Sequence, residues 1–328
     1  MCDRSSASPW LTKSTLVAAF DRVDIDVDSG RQVRYRDAVT HPTRVTAGIH
    51  LPQAGPAASG PAIRRAAIAA EEIGFADVWV SDHLAVPTGA AYPPSPWIYE
   101  PFTTLTWAAA VTERIGLGTT VLVLPMRHPL IVAKTVASID RFSNGRVILG
   151  LAAGWLEAEF EALGVPFDER GARTDEGIAM LRRLWTTDHV TDEFPVHHSS
   201  YASMRALPQP ERHLPIWVGG HAEVALRRAV AVGDGWHGAF LTPEQTKLRV
   251  DRLRRDRPEE AFAISMRTRW DALEDDADTI LGELDDYIAA GVTHLVPEPR
   301  QRNIDDYLRS MDQLVALMTR AGVSFSHS

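Results

Sequence analysis

From Arg44 onward the chain alternates two hydrophobic patterns. Short, unbroken apolar runs, which read as strands buried on both faces, alternate with longer stretches whose apolar positions recur every three to four residues, the mark of helices lying on a core. The strand runs are Val45–Leu51, Val78–Val80, Ile115–Leu124 (stopped by Pro125), Val147–Leu151, Ile216–Val218, a run opened by Gly233-Asp-Gly-Trp236, Phe262–Thr268 and Thr293–Val296. The helical stretches are 61–74, 102–112, 130–142, 156–163, 173–185, 222–232, 242–255, 278–290 and 304–320. Punctuation supports several of them. Ser59 can cap the first helix, with Pro61 in its first turn and Gly74 at its end; Thr242-Pro-Glu-Gln245 reads as a capping box with proline at the first position. Five prolines within 84–101 forbid regular structure there, and 186–214 reads as irregular. About eight strand–helix units in roughly 285 residues predict a (β/α)8 TIM barrel rather than an open doubly wound sheet.

Residues 1–43 carry scattered charge and only two weak apolar patterns, so they read as an N-terminal appendage, a tail or small hairpin outside the barrel domain 44–328. The 34 basic and 43 acidic residues give a net charge of −9, which argues against a nucleic-acid surface. No window reaches the ~18 apolar residues of a membrane span. The single cysteine, Cys2, leaves no internal disulfide or cysteine-cluster metal site, and a His-Glu-x-x-His helix is missing, so no metal is expected. The expectation is a soluble, cytoplasmic enzyme acting on a small molecule, without nucleic-acid or membrane partners.

In a barrel of this kind chemistry belongs at the carboxyl ends of the strands. After the second strand stands Ser81-Asp82-His83, an acid and an imidazole that can orient a ring and move a proton, or simply cap a turn. The third ends in Gly118-Thr119-Thr120-Val121, whose β-branched run ordinarily just packs. The fourth ends in Ala152-Ala153-Gly154-Trp155 and the fifth in Gly219-Gly220-His221, both ahead of helices. Small residues there let bare N–H groups approach a phosphate, or else serve close packing and a tight turn. The spacing matches neither a dinucleotide fingerprint nor a phosphate loop.

Taken in order, these segments resemble the bacterial-luciferase-like (LLM-class) family, and in particular its deazaflavin (coenzyme F420)-dependent branch. The resemblance is carried by Asp77-Val-Trp-Val-Ser-Asp-His83, Glu113-Arg-Ile-Gly-Leu-Gly-Thr-Thr-Val-Leu-Val-Leu-Pro125, Gly145-Arg-Val-Ile-Leu-Gly-Leu-Ala-Ala-Gly-Trp155, Phe160-Glu-Ala-Leu-Gly-Val-Pro-Phe167, Pro215-Ile-Trp-Val-Gly-Gly-His221 and Gly233-Asp-Gly-Trp236. It implies a luciferase-like barrel holding a flavin-type ring across its mouth. Asp82 would contact the ring system, and His83 would act near the hydride-carrying carbon as proton donor or orienter. The Thr120–Val121 peptide would be cis, pressing a bulge against the ring. Ala153, Gly154, Trp155, Gly219, Gly220 and His221 would complete the cofactor site. By analogy the protein would form a homodimer. One departure matters: the sugar-phosphate dehydrogenases of this branch look to carry an acidic residue where this chain has Trp155, which points to a more apolar substrate.

Three functions are weighed on this basis. A coenzyme F420-dependent oxidoreductase is favoured by the Asp82-His83 pair, with the deazaflavin exchanging a hydride with a small organic molecule. The alternatives are an FMN-dependent luciferase-like monooxygenase and a barrel that binds cofactor without chemistry.

Overall fold

The computed structural model describes residues 44–90, 92–93 and 95–326; the N-terminal appendage expected over 1–43 lies outside the described residues. Eight parallel strands close into a barrel: β1 (Thr46–His50), β2 (Asp77–Val80), β3 (Gly116–Thr119), β5 (Val147–Ala152), β8 (Ile216–Gly219), β9 (Gly235–Ala239), β10 (Ala263–Thr268) and β11 (His294–Pro297). The ring closes where Leu117 and Gly118 of β3 pair with Val147 and Ile148 of β5. Outside it run α1 (Gly60–Ile73), α2 (Pro101–Ala109), α3 (Pro129–Phe142), α4 (Glu157–Leu163), α5 (Arg170–Thr186), α6 (Glu223–Val232), α7 (Pro243–Asp256), α8 (Ala277–Ala289) and α9 (Ile304–Arg320). None of these is long and apolar enough to cross a membrane.

The local signals act as the sequence predicts at most boundaries. Ser59 accepts from the Ala62 N–H at the start of α1, and Gly74 ends it at φ 97°, a conformation that favours glycine. Thr242 and Gln245 form the reciprocal capping box of α7. The proline-rich stretch stays irregular until Pro101 opens α2, where Glu100 caps the Thr103 N–H.

Two expectations need correction. The single strand expected over 115–124 is broken: β3 ends at Thr119, the Thr120–Val121 peptide is cis as the resemblance implied, and only Leu122–Val123 (β4) resume pairing before a 3-10 turn over Leu124–Met126. Side chains of β9 and β10, His237 and Arg267, hold Thr120 at this break, contacts that no local pattern reports. The segment 186–214 is not wholly irregular either. It contains an antiparallel hairpin of β6 (Val190–Phe194) and β7 (Ser199–Met204). Only Val190, Phe194 and Tyr201 of these strands are buried, and the turn bends at His198 (φ 48°) instead of at a glycine, so neither a full alternation nor turn chemistry marked it.

Alternation along each strand separates two cores. Ile49, Val78, Val80, Leu117, Leu149, Leu151, Ile216 and Leu295 face the helices in one continuous cluster. The lumen is filled by Trp79, Trp217 and Val296, with Trp79 and Trp217 stacked at 5.2 Å. The Trp79 indole needs glycine on both neighbouring strands: a Cβ on Gly48 would stand 2.5 Å from its Nε1, and one on Gly118 2.5 Å from its Cδ2. We therefore expect Gly118→Ala to destabilise the barrel by about 1–3 kcal/mol through overpacking, read from urea unfolding. An unchanged midpoint would show that the lumen can relax around the indole.

Candidate functional site

The sequence candidates converge on the carboxyl-terminal mouth of the barrel. Ser81, Asp82 and His83 follow β2 directly and are all buried. Asp82 receives a bidentate pair from Arg127 at 2.6 and 2.9 Å and the Val123 N–H at 2.8 Å. Burial pushes its carboxyl up, and the Arg127 guanidinium opposes that. Asp82 thus ties the segment after the bulge to the end of β2, with its acceptors largely engaged by the protein itself.

His83 is aimed by a residue the sequence reading missed. Glu159, on α4 and 3% exposed, takes the His83 Nδ1–H at 2.9 Å on one oxygen, and the N–H groups of Leu84 (2.6 Å) and Ala85 (3.2 Å) on the other. Burial raises the Glu159 carboxyl, but these hydrogen bonds outweigh it and hold the group below the usual range. A carboxylate can only accept, so a neutral His83 carries its proton on Nδ1 and leaves Nε2 bare. The pair spans 76 residues of sequence, and Glu159 was hidden in a segment of ordinary helical pattern.

A cavity of about 260 Å3 opens beside His83, between the loops after β1, β2 and β11. Pro52, Pro56, Ala57, Pro93 and Ile98 supply apolar wall, while His50, Arg267 and Glu298 supply polar groups. Burial and the nearby Arg267 charge push the His50 imidazole down to about 3, so it is neutral there. Trp155 is 56% exposed, with its ring 6.1 Å from His83 and 6.0 Å from Tyr92; the Phe240 ring stands 6.4 Å from Tyr92.

Thr120 is held at three atoms by three different strands. Its N–H donates to the Val80 carbonyl (2.8 Å), its carbonyl accepts from Arg267 Nη1 (3.1 Å), and its hydroxyl lies 2.7 Å from His237 Nε2. Val121, half-buried, projects toward β8, where a Cβ on Gly219 would stand 2.8 Å from its Cγ1. Gly220 follows at φ 115°, and His221 is exposed, its Nε2 accepting the Ala239 N–H at 3.3 Å. Helix α6 then begins at Glu223, and Ala222 before it supplies no side-chain cap, unlike the cap residues of α1, α2, α7, α8 and α9. Ala153 and Gly154 are half-buried on the neighbouring strand end, Gly154 at φ 84° against Val123 and Phe160.

The family model described as luciferase-like monooxygenase matches residues 38–320. An uncharacterized protein of Mycobacterium tuberculosis is 36% identical over 203 residues, covering 57% of this chain and 69% of that one. An F420-dependent glucose-6-phosphate dehydrogenase of Amycolatopsis mediterranei is 34% identical over 177 residues, 52% of this chain and half of that relative's length. Among solved structures, a monooxygenase from Streptomyces bottropensis (TM-score 0.72, 22% identity) and an F420-dependent secondary alcohol dehydrogenase (TM-score 0.71, 17% identity) each cover 84% of this chain and 99% of their own. These two establish likeness of fold.

Two outcomes test the geometry. Arg127→Met leaves the Asp82 carboxylate buried and unpaired and should cost about 3–5 kcal/mol in urea unfolding, part of it recovered by adding Asp82→Asn. The Glu159 carboxyl titrates below its ordinary 4.5 in the folded state, so its bonds contribute fully above that ordinary value and are lost as pH falls through the lowered one. Stability should therefore be more acid-sensitive in the native protein than in Glu159→Gln over that window, and equal slopes in the two proteins would show that the carboxylate carries no such linkage.

Proposed function

The chain belongs to the luciferase-like monooxygenase family, and on that premise we propose that it is a coenzyme F420-dependent oxidoreductase acting on a small, largely apolar organic molecule. The observation that carries the reading is His83, whose Nδ1 is committed to buried Glu159 and whose Nε2 is bare beside the cavity. Relatives named as F420-dependent dehydrogenases support the cofactor.

The residues present fit such a group. The uncapped start of α6, preceded by Gly219 and Gly220, offers N–H groups to a phosphate without a side chain competing for them. Gly154, Gly219, Gly220 and His221 would hold the phosphate end, and the Thr120–Val121 bulge would support the ring. When bound, the deazaflavin supplies the hydride donor or acceptor.

The chain itself handles the proton and the surroundings. If the substrate is an alcohol, His83 Nε2 would take the hydroxyl proton as the alcohol is oxidised to the ketone, and in the other direction the imidazolium would return that proton. Glu159 stabilises the imidazolium and keeps the ring turned toward the cavity. Trp155, Tyr92 and Phe240 gather aromatic surface near His83 that favours an apolar substrate body, and the indole of Trp155 offers a sugar phosphate no acidic partner.

The direct test is equilibrium binding of oxidised coenzyme F420, with FMN in parallel, followed by a hydride-transfer screen. Selective binding of F420 is expected. Selective binding of FMN with oxygen consumption would overturn the reading in favour of a monooxygenase. His83→Ala should keep F420 affinity within a few-fold while lowering turnover by on the order of 100-fold; turnover unchanged in that variant would remove His83 from the mechanism.

A further inference from the structure

A file of hydrogen-bonded side chains runs up the barrel axis, outside everything the mechanism above uses except its last member. Asp77 stands at the amino-terminal end of β2. Its Oδ1 lies 2.9 Å from His294 Nε2; His294 Nδ1 is 2.8 Å from Ser265 Oγ; Ser265 Oγ is 2.8 Å from His237 Nδ1; His237 Nε2 is 2.7 Å from Thr120 Oγ1. All five residues are at most 5% exposed. They come from five different strands or strand ends, so only the closed barrel assembles them. The His237 ring lies flat on Trp79, 5.0 Å away with 7° between planes.

The file has a sense. The Trp79 indole N–H, which can only donate, also bonds Asp77 Oδ1, so that oxygen is an acceptor. His294 Nε2 must then donate to it. With both imidazoles neutral, each later bond follows: Ser265 donates to His294 Nδ1, His237 Nδ1–H donates to Ser265, and the Thr120 hydroxyl donates down to His237 Nε2. Burial, with the nearby Arg267 guanidinium adding to it, pushes the His237 imidazole well below its ordinary value, in keeping with a neutral ring.

We propose that Asp77, His294, Ser265 and His237 are positioning residues for the cofactor-binding bulge: the acceptor at the base of the barrel sets the direction of every bond above it and locks the Thr120 hydroxyl downward. With the Thr120 N–H held by Val80 and its carbonyl by Arg267, the file supplies the remaining restraint, so that the support under the ring has one arrangement before any ligand arrives.

Two measurements decide this. Nitrogen-15 NMR of the histidine-labelled full-length protein, without ligand, should find His294 protonated on Nε2 alone and His237 on Nδ1 alone, with Ser265→Ala switching His237 to Nε2–H. A doubly protonated His294, or His237 on Nε2 in the native protein, would overturn the proposal. That arm is independent of the cofactor. The second arm rests on the F420 reading: Ser265→Ala should weaken F420 binding about tenfold, and Ser265→Ala with Thr120→Val should bind within about twofold of Thr120→Val alone, because both act through one hydroxyl. Losses that multiply in the double variant would make Ser265 merely structural. If native protein binds no F420, the cofactor reading fails while the NMR arm still judges the file; if Ser265→Ala does not fold, the native spectrum alone decides.

Discussion

Closing eight strands around a lumen leaves a space that side chains must fill, and here an indole fills it. Trp79 occupies the barrel axis because Gly48 and Gly118 on the flanking strands give up their side chains to it. Stacked against it are Trp217 and the buried imidazole of His237. This packing decides what can be built above. It fixes the height of the His237 ring, and through it the Thr120 hydroxyl, so the bulge at the mouth rests on a rigid plug instead of a mobile loop.

Above the plug, the mouth is organised by two buried carboxylates with different tasks. Asp82 is spent on architecture, joining the end of β2 to Arg127 and to the Val123 N–H beyond the bulge. Glu159 is spent on orientation, gathering the His83 imidazole and two backbone N–H groups of the following loop. Both charges are fully hydrogen-bonded, which is the condition for keeping them out of water. The result is one imidazole nitrogen left bare beside a cavity that sets apolar wall from Pro52, Pro56, Ala57 and Ile98 against the polar groups of His50, Arg267 and Glu298. On the proposed function such a site suits proton transfer coupled to hydride exchange, because the orientation of the imidazole is settled before substrate binds.

Much of this was legible in the chain. Period and punctuation marked the alternating strands and helices, since burying both faces of a parallel strand demands unbroken apolar runs and helices need caps at their ends. The rule that function sits at strand ends picked out Asp82, His83, Gly154 and the Gly219–His221 turn, the family resemblance added Thr120, and all of them stand at one mouth. Periodicity did not show the break after Thr119, although the resemblance implied the cis Thr120–Val121 peptide there, and nothing in the sequence showed the β6–β7 hairpin or the partners of the acids. Those depend on residues brought together by closure: Glu159 meets His83 across 76 positions, Arg267 reaches the Thr120 carbonyl across 147, and Asp77 meets His294 across 217. Local patterning is governed by short-range sterics and burial and is written in neighbouring residues. The direction of a hydrogen bond inside the barrel depends on which strands are adjacent, and only the tertiary structure decided that.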